Sequence, residues 1–546
     1  MPPTHEVTNQ VPPLVDYNLA AYPALREGLA AEGAAWAESE LDEVGRLAGS
    51  EQAQEWGRLA ERYPPVLRTH DRYGYRVDEV EYHPYWHELM RVAVRHGMHA
   101  TPWRLEKPGA HVARAAKTFV WGQVDAGHIC PISMTYAAVP SLRHSPALAE
   151  RYEPLLASTT YDFGLREPTT KRGLIAGMSM TEKQGGSDVR ANTTTATPNG
   201  DGSYTITGHK WFTSAPMSDV FLTLAQAPGG LSCFLVPRVL PDGMRNAMHL
   251  QRLKDKLGNR SNASAEVEYD GALGWLIGEE GRGVQTIIRM VTMTRLDCVV
   301  GSAAAMHQAT VQAVHHATHR RAFGSLLIDA PLMRNVLADL AIETEAATTV
   351  ALRLAGAVDR AAAGDSSEEA FRRLGLAVTK YWVCKRVPAH AAEALECLGG
   401  NGYVEDSGMP RLYREAPLNS IWEGSGNVAA LDTLRAMAKQ PESVEAFFAE
   451  VEQASGADAR LDDAVVRLRK ALADTEALEY RARRIVESMA LVLQASLLVR
   501  RGHPAVADAF CATRLGGDGG LVYGTLPPGV DTAAILDRAR PVTDRV

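Results

Sequence analysis

The periodicity of this 546-residue chain changes twice, and that succession limits its fold more than any single motif. From about Leu41 to Leu156 apolar residues return every three or four positions, as in SEQAQEWGRLAERY and YWHELMRVAVRHGMH, which predicts helices. Near Gly177 the texture shifts to Thr, Ser, Val and Gly. PNGDGSY has the residues of a hairpin turn, and SCFLVPR and SAEVEYDGALGWLIG read as short strands. Helical spacing returns at Thr286 in three long segments, which begin TRLDCVVGSAAAMHQ, PLMRNVLADLAIETE and LGLAVTKYWVCKRVP. With NVAALDTLRAMAK as a fourth helix they predict a four-helix bundle.

The expected fold is therefore mainly α with a small central β domain. A chain of this length exceeds one hydrophobic core. The expected domains are an N-terminal helical domain (1–176), with irregular, Pro-punctuated first forty residues, a middle β domain (177–284), a four-helix bundle (285–439) and a C-terminal helical domain (440–546).

A net charge of −8 argues against wholesale coating of nucleic acid but leaves a local basic face open. Six scattered cysteines without a CxxC pair read as reduced core residues of a cytosolic protein. The opening MPPTHEVTNQVPP lacks the basic and apolar regions of a signal peptide. The most apolar stretch, Ile485 to Val499, is short for a bilayer and carries Glu487 and Gln494, so it predicts a buried helix. These features together predict a cytoplasmic protein.

Two segments carry the chemistry. MSMTEKQGGSD (178–188) crowds the hydroxyls of Thr181 and Ser187 and the amides of Gly185 and Gly186 behind a short strand, a composition suited to cupping a flavin and its phosphates. On its own it reads equally as a polar loop with turn glycines. GHKWFTSAP (208–216) follows with Trp211, Phe212, Thr213 and Ser214. NSIWEGSGN (419–427) sets Glu423 between an apolar Ile421–Trp422 pair and a glycine turn, a way to present a general base. No GxGxxG follows a strand and no GxxxxGK[ST] occurs, which excludes a Rossmann flavoprotein or a P-loop.

The order and content of MTEKQGGSD, GHKWF, RLKDKLGNRSNAS and MPRLYREAPLNSIWEGSGN resemble the acyl-CoA dehydrogenase flavoproteins, in particular their AidB-like branch, which is linked to the bacterial response to DNA alkylation. The resemblance implies an acyl-CoA dehydrogenase fold with extra C-terminal helices and an FAD cofactor. It implies an oxidoreductase in which Glu423 removes an α-proton from an acyl thioester. It places Met178, Met180, Thr181, Gly186, Ser187, Trp211, Phe212, Thr213 and Ser214 at the flavin, and Ser425 and Asn427 at the flavin or its adenosine portion. Burial behind Ile421 and Trp422 would raise the Glu423 pKa toward neutrality. Some relatives carry the base on the first bundle helix, but that position here is Thr294, and Asp297 is the nearest carboxylate.

Arg320 and Phe323 in HRRAFG match an element that reaches a neighbouring subunit's flavin in such proteins, which implies a homo-oligomer, expected to be a tetramer. Pro331 and Glu396 depart from the Gln common at those positions. The branch also implies non-specific double-stranded DNA as a partner, met through phosphates. The expected contacts are Arg435, Arg481 and Arg484, with Arg252, Lys254, Lys256 and Arg260 as a second basic run. The alternative is a metabolic short- or branched-chain acyl-CoA dehydrogenase with no nucleic-acid role. His315 and His319, four apart on one helix, have metal-ligand spacing but no evident third ligand, and no metal site is expected.

Overall fold

The computed structural model describes residues 4–543. The chain divides into two compact units, one formed by residues 1–51, 111–123 and 298–546, the other by 52–110 and 124–297.

The first unit is helical. Its long elements are the helix Gly283–His319 from residue 298 onward, Pro331–Ala362, Ser366–Glu396 and Gly426–Lys439. Their starts follow from local chemistry. Pro331 occupies the first turn of its helix, where a missing N–H costs nothing. Asp365 accepts the Ser367 and Glu368 amides at the start of the next. Pro331–Ala362 is buried along nearly its whole middle, from Leu337 to Val358, so it is a bundle core element rather than a surface one. The C-terminal helices are Pro441–Val451, Ala459–Ala473, Ala482–Arg501 and Pro504–Phe510. Ile485–Val499 lies inside Ala482–Arg501, with Val486, Met489, Leu493 and Leu497 fully buried, as the interrupted apolar run predicts. Among the described residues no helix is long and apolar enough to cross a membrane.

The second unit holds a seven-stranded sheet. Ser203–Ser214 pairs antiparallel with Thr195–Pro198 across the PNGDGSY turn, and with Ser264–Ile277 on its other side. Ser264–Ile277 continues to Gly230–Pro237, which pairs with Val220–Ala227, and a single pairing between Thr195 and Gln226 completes a barrel-like ring. Ala176–Ser179 adds to Val220–Ala227 in parallel, and Met248–Leu253 adds to Ser264–Ile277. A mainly helical chain with a sheet formed by its middle segment agrees with expectation.

Two local readings are corrected. The stretch 41–156 is not helical throughout: Val66–His70 and Arg76–Glu81 form an antiparallel hairpin. Its alternation is short and its faces are charged, so it carries little apolar signal. The first forty residues are not wholly irregular either, because Pro23–Ala31 is a helix that buries Leu25 and Leu29. SAEVEYDGALGWLI is one continuous strand of 14 residues, Ser264–Ile277.

Candidate functional site

The sheet unit presents a ledge built from two sequence-distant segments. The Trp211 amide donates to the Thr181 carbonyl at 2.8 Å, and the Ser179 and Thr213 hydroxyls meet at 2.5 Å. Beneath the ledge lies a buried ion pair. Lys210 Nζ donates to Glu182 Oε1 at 2.8 Å and to the Leu224 carbonyl at 2.7 Å, and both side chains are fully buried. Glu182 also accepts the Thr193 amide at 2.7 Å and the Thr194 amide at 3.2 Å. Burial alone would raise the Glu182 carboxyl, but Lys210 and the two amides outweigh it and hold it at about 2. Burial pulls Lys210 down to about 8 against the attraction of Glu182. The pair anchors MTEKQGG to the strand Ser203–Ser214, and the sequence reading missed both members.

The ledge brings most expected flavin residues into one place. Met178, Met180, Thr181 and Trp211 are half-buried, and Gly186 and Ser187 are exposed. At Gly186 an added Cβ would lie 2.5 Å from Thr181 Oγ1, so a side chain there would force the Thr181 side chain to move. Thr213 departs from the expectation. The pairing register shifts between Lys210 and Thr213, and the Thr213 side chain turns inward to Ser179 while Phe212 stays exposed and Ser214 half-buried. Its hydroxyl is thus engaged within the sheet. Lys254 Nζ lies 3.4 Å from the Trp211 ring centroid, a cation–π contact.

In the helical unit, Glu423 adopts φ +57° and Gly424 φ +107°, so the base candidate stands in a left-handed turn. Such a conformation costs a non-glycine residue about 1–3 kcal/mol and persists only where neighbours enforce it. Four hydrogen bonds do so. Lys380, buried in the helix Ser366–Glu396, donates to the Trp422 carbonyl at 2.8 Å and also to the Gly424 carbonyl. Trp422 Nε1 donates to Asn419 Oδ1 at 2.8 Å, and Asn419 Nδ2 reaches Ser302 Oγ at 3.2 Å. Ile421 is 61% exposed in this chain, so it does not supply the expected dryness.

Ser425 occupies the N-cap position of the helix Gly426–Lys439 without a side-chain capping bond, and Asn427 accepts from Arg483 Nε at 2.8 Å. A Cβ at Gly426 would sit 2.9 Å from Lys385 Cε. Burial first, and then the charges of Arg483 and Lys380, pull Lys385 below its usual range. The turn is therefore ringed by cations, one of them from the C-terminal helices. In the sheet unit, Thr294 is buried and its hydroxyl donates to the Val291 carbonyl, and Asp297 accepts from Ser133 Oγ at 2.5 Å. Both are engaged locally.

Arg320 reaches the Asn9 carbonyl, and Phe323 stands fully exposed at φ +51° in the hairpin Arg321–Leu326. The basic residues divide. Arg435 is exposed, 3.8 Å from Asp432, and Arg484 is exposed on Ala482–Arg501. Arg481 precedes the helix, and its guanidinium folds onto the Glu476, Asp474 and Ala471 carbonyls. In the second run, Arg252 and Lys254 both pair with Glu266 at 2.7 Å, and Lys256 donates to the Asn262 carbonyl. His315 Nε2 bonds the Pro12 carbonyl and His319 Nδ1 the His315 carbonyl, each at 2.8 Å. No group of three or more potential metal ligands occurs among the described residues. All six cysteines are buried.

Comparison with known proteins covers most of the chain. Residues 9–163 match the adaptive response protein AidB N-terminal domain, 177–272 the acyl-CoA dehydrogenase middle domain and 281–438 the acyl-CoA dehydrogenase C-terminal domain. The chain is 46% identical over 521 residues to the acyl-CoA dehydrogenase homologue AidB of Escherichia coli (strain K12), covering 95% of this chain and 96% of that protein. It is 32% identical to acyl-CoA dehydrogenase family member 11 of Caenorhabditis elegans, over 77% of this chain and 70% of that one. The crystal structure of Caenorhabditis elegans ACDH-11 in complex with C11-CoA superposes with a TM-score of 0.85 at 28% identity, covering 94% and 93% of the two chains.

Proposed function

Because the chain belongs to the AidB-like branch of the acyl-CoA dehydrogenase family, we propose that it is an FAD-dependent oxidoreductase acting on the CH–CH bond of an acyl-CoA thioester, with Glu423 as its base. The observation that carries this reading is the turn at Glu423: a carboxylate in an enforced left-handed conformation, pinned from two helices. The ledge fits the cofactor, because it offers exposed amides at Gly186 and Ser187 beside an exposed Phe212 on a strand locked by a buried ion pair. Met178, Met180, Thr181, Trp211 and Ser214 would hold the ring system, with Ser425 and Asn427 toward the adenosine portion. Bound FAD supplies a hydride acceptor for the substrate β-carbon. Glu423 takes the α-proton onto its carboxylate, and a fixed turn limits the reorganisation needed to reach it. A C11-CoA complex of a relative supports an acyl-CoA as substrate class.

A second role fits the same chain. We read it as also binding double-stranded DNA non-specifically and guarding it against alkylation damage, with weak dehydrogenation retained. Exposed Arg435 and Arg484 support phosphate contacts, and the matched N-terminal domain supports an adaptive-response role. The fully exposed Phe323 supports a homo-oligomer, read as a tetramer, in which a partner covers that ring. Anaerobic bleaching of the flavin by an acyl-CoA panel, run beside a DNA gel shift across salt, tests the two roles together. Bleaching with no salt-sensitive shift leaves the oxidoreductase alone. A shift without bleaching by any acyl-CoA removes the enzymatic role.

A further inference from the structure

The helix Ser366–Glu396 carries a lysine that charge and spacing alone would place on a solvated face, yet Lys380 is 2% exposed. Two of the three protons on its ammonium go to backbone oxygens of one turn: the Trp422 carbonyl at 2.8 Å and the Gly424 carbonyl. These carbonyls lie immediately before and immediately after Glu423. One buried cation therefore bridges the peptide groups that bracket a residue at φ +57°, itself followed by Gly424 at φ +107°. A left-handed glutamate relaxes unless its surroundings over-determine it, and a buried carbonyl that loses its donor drives such relaxation. The opposite side is held more weakly, by neutral bonds from Trp422 to Asn419 and from Asn419 to Ser302. Charge-assisted bonds are about twice as strong as neutral ones, so the lysine dominates the clamp.

We propose that Lys380 is a positioning residue: it holds the turn that presents Glu423, so that the carboxylate is set in place before substrate arrives. The proposal rests on the reading of Glu423 as the base. It assigns Lys380 a role exercised through the turn.

The test compares Lys380→Met, Lys380→Arg and Glu423→Gln in the full chain. In the cofactor-free protein, amide hydrogen exchange across residues 421–426 should rise at least about tenfold in Lys380→Met, while exchange in the sheet unit stays unchanged. In the FAD-loaded protein, the limiting rate of anaerobic flavin bleaching by an acyl-CoA should fall about 100-fold, the effect expected of a base misplaced by about 1 Å. FAD content and the half-saturating acyl-CoA concentration should stay within about threefold of wild type. Lys380→Arg, which keeps the charge and the donors, should recover most of the lost rate. Lys380→Gln, which keeps donors without the charge, supplies the same comparison if Lys380→Met does not fold. An unchanged exchange rate in the turn overturns the proposal. So does an unchanged bleaching rate in Lys380→Met alongside an inactive Glu423→Gln, a pattern that leaves the base intact. Wild-type bleaching by Glu423→Gln instead removes the base, and the positioning role with it.

Discussion

Replacing Lys210 by Met isolates what the buried pair contributes to the ledge. The substitution removes the bonds to Glu182 and to the Leu224 carbonyl and leaves the Glu182 carboxylate with no side-chain solvent access. Breaking one member of a buried ion pair costs about 3–5 kcal/mol, because the surviving charge stays desolvated. For a domain of a few hundred residues each kcal/mol lowers Tm by about 2–4 °C, so the sheet unit should melt about 6–20 °C earlier. Lys210→Met combined with Glu182→Gln should recover at least about 2 kcal/mol of that loss. The neutral amide oxygen can still accept one of the Thr193 and Thr194 amides, which bond different oxygens of the carboxylate, and no charge is stranded. Because the Trp211 amide bonds the Thr181 carbonyl next to this pair, FAD retention should fall in the single variant and return in the double one. Urea unfolding followed by tryptophan fluorescence, with bound FAD quantified by absorbance, measures both effects. A Lys210→Met protein within about 1 kcal/mol of wild type, or a double variant that simply adds the two losses, would refute the reasoning.

Acid should destabilise the protein from about pH 5 downward. Glu182, Glu343 and Glu450 are all held at about 2 against an ordinary 4.5. In each, burial alone would raise the carboxyl and basic partners outweigh it: Lys210, then Arg386 with Arg514, then Arg353 with Arg500. The unfolded chain therefore binds protons first as pH falls, and the stabilisation is complete above about 5 and lost toward 2. Urea midpoints at pH 6 and pH 3.5 check this, and equal midpoints would contradict it. Arg435→Ala with Arg484→Ala should weaken DNA retention and lower the slope of log K against log salt by about 2. Arg481→Ala should leave the slope unchanged and loosen the segment 471–482, because its guanidinium serves carbonyls there. Phe323→Ala should shift the sedimentation profile toward smaller species, and an unchanged profile would separate that exposed ring from assembly.

The succession of helix, sheet and helix was legible because apolar period survives over long segments, and the PNGDGSY hairpin because glycines mark it. A tight turn at Glu423 is legible from the Gly424 and Gly426 that follow it. Its support is not: Lys380 in LGLAVTKYWVCK looks like any helix lysine, and only the fold shows its ammonium turned onto the turn 422–424. The inward turn of Thr213 is not legible in sequence, because it follows from a register shift between Lys210 and Thr213. The basic clusters misled for a related reason. Sequence counts charges but not their partners, and Arg252, Lys254 and Arg481 are engaged within the fold, as are Arg469 with Glu452 and Arg501 with Glu32. The hairpin Val66–Glu81 escaped because five- and six-residue strands with charged faces leave too little alternation to read.

The central claim is that Glu423 removes a proton from an acyl-CoA held against bound FAD. Stopped-flow bleaching of the flavin band under anaerobic conditions, in wild type and Glu423→Gln loaded to equal FAD content, measures it directly. Wild type should bleach with at least one acyl-CoA, and Glu423→Gln should keep the oxidised flavin spectrum while slowing at least about a thousandfold, beyond the 10²–10⁴ range's lower end for a general base. Equal bleaching rates in the two proteins would contradict the account.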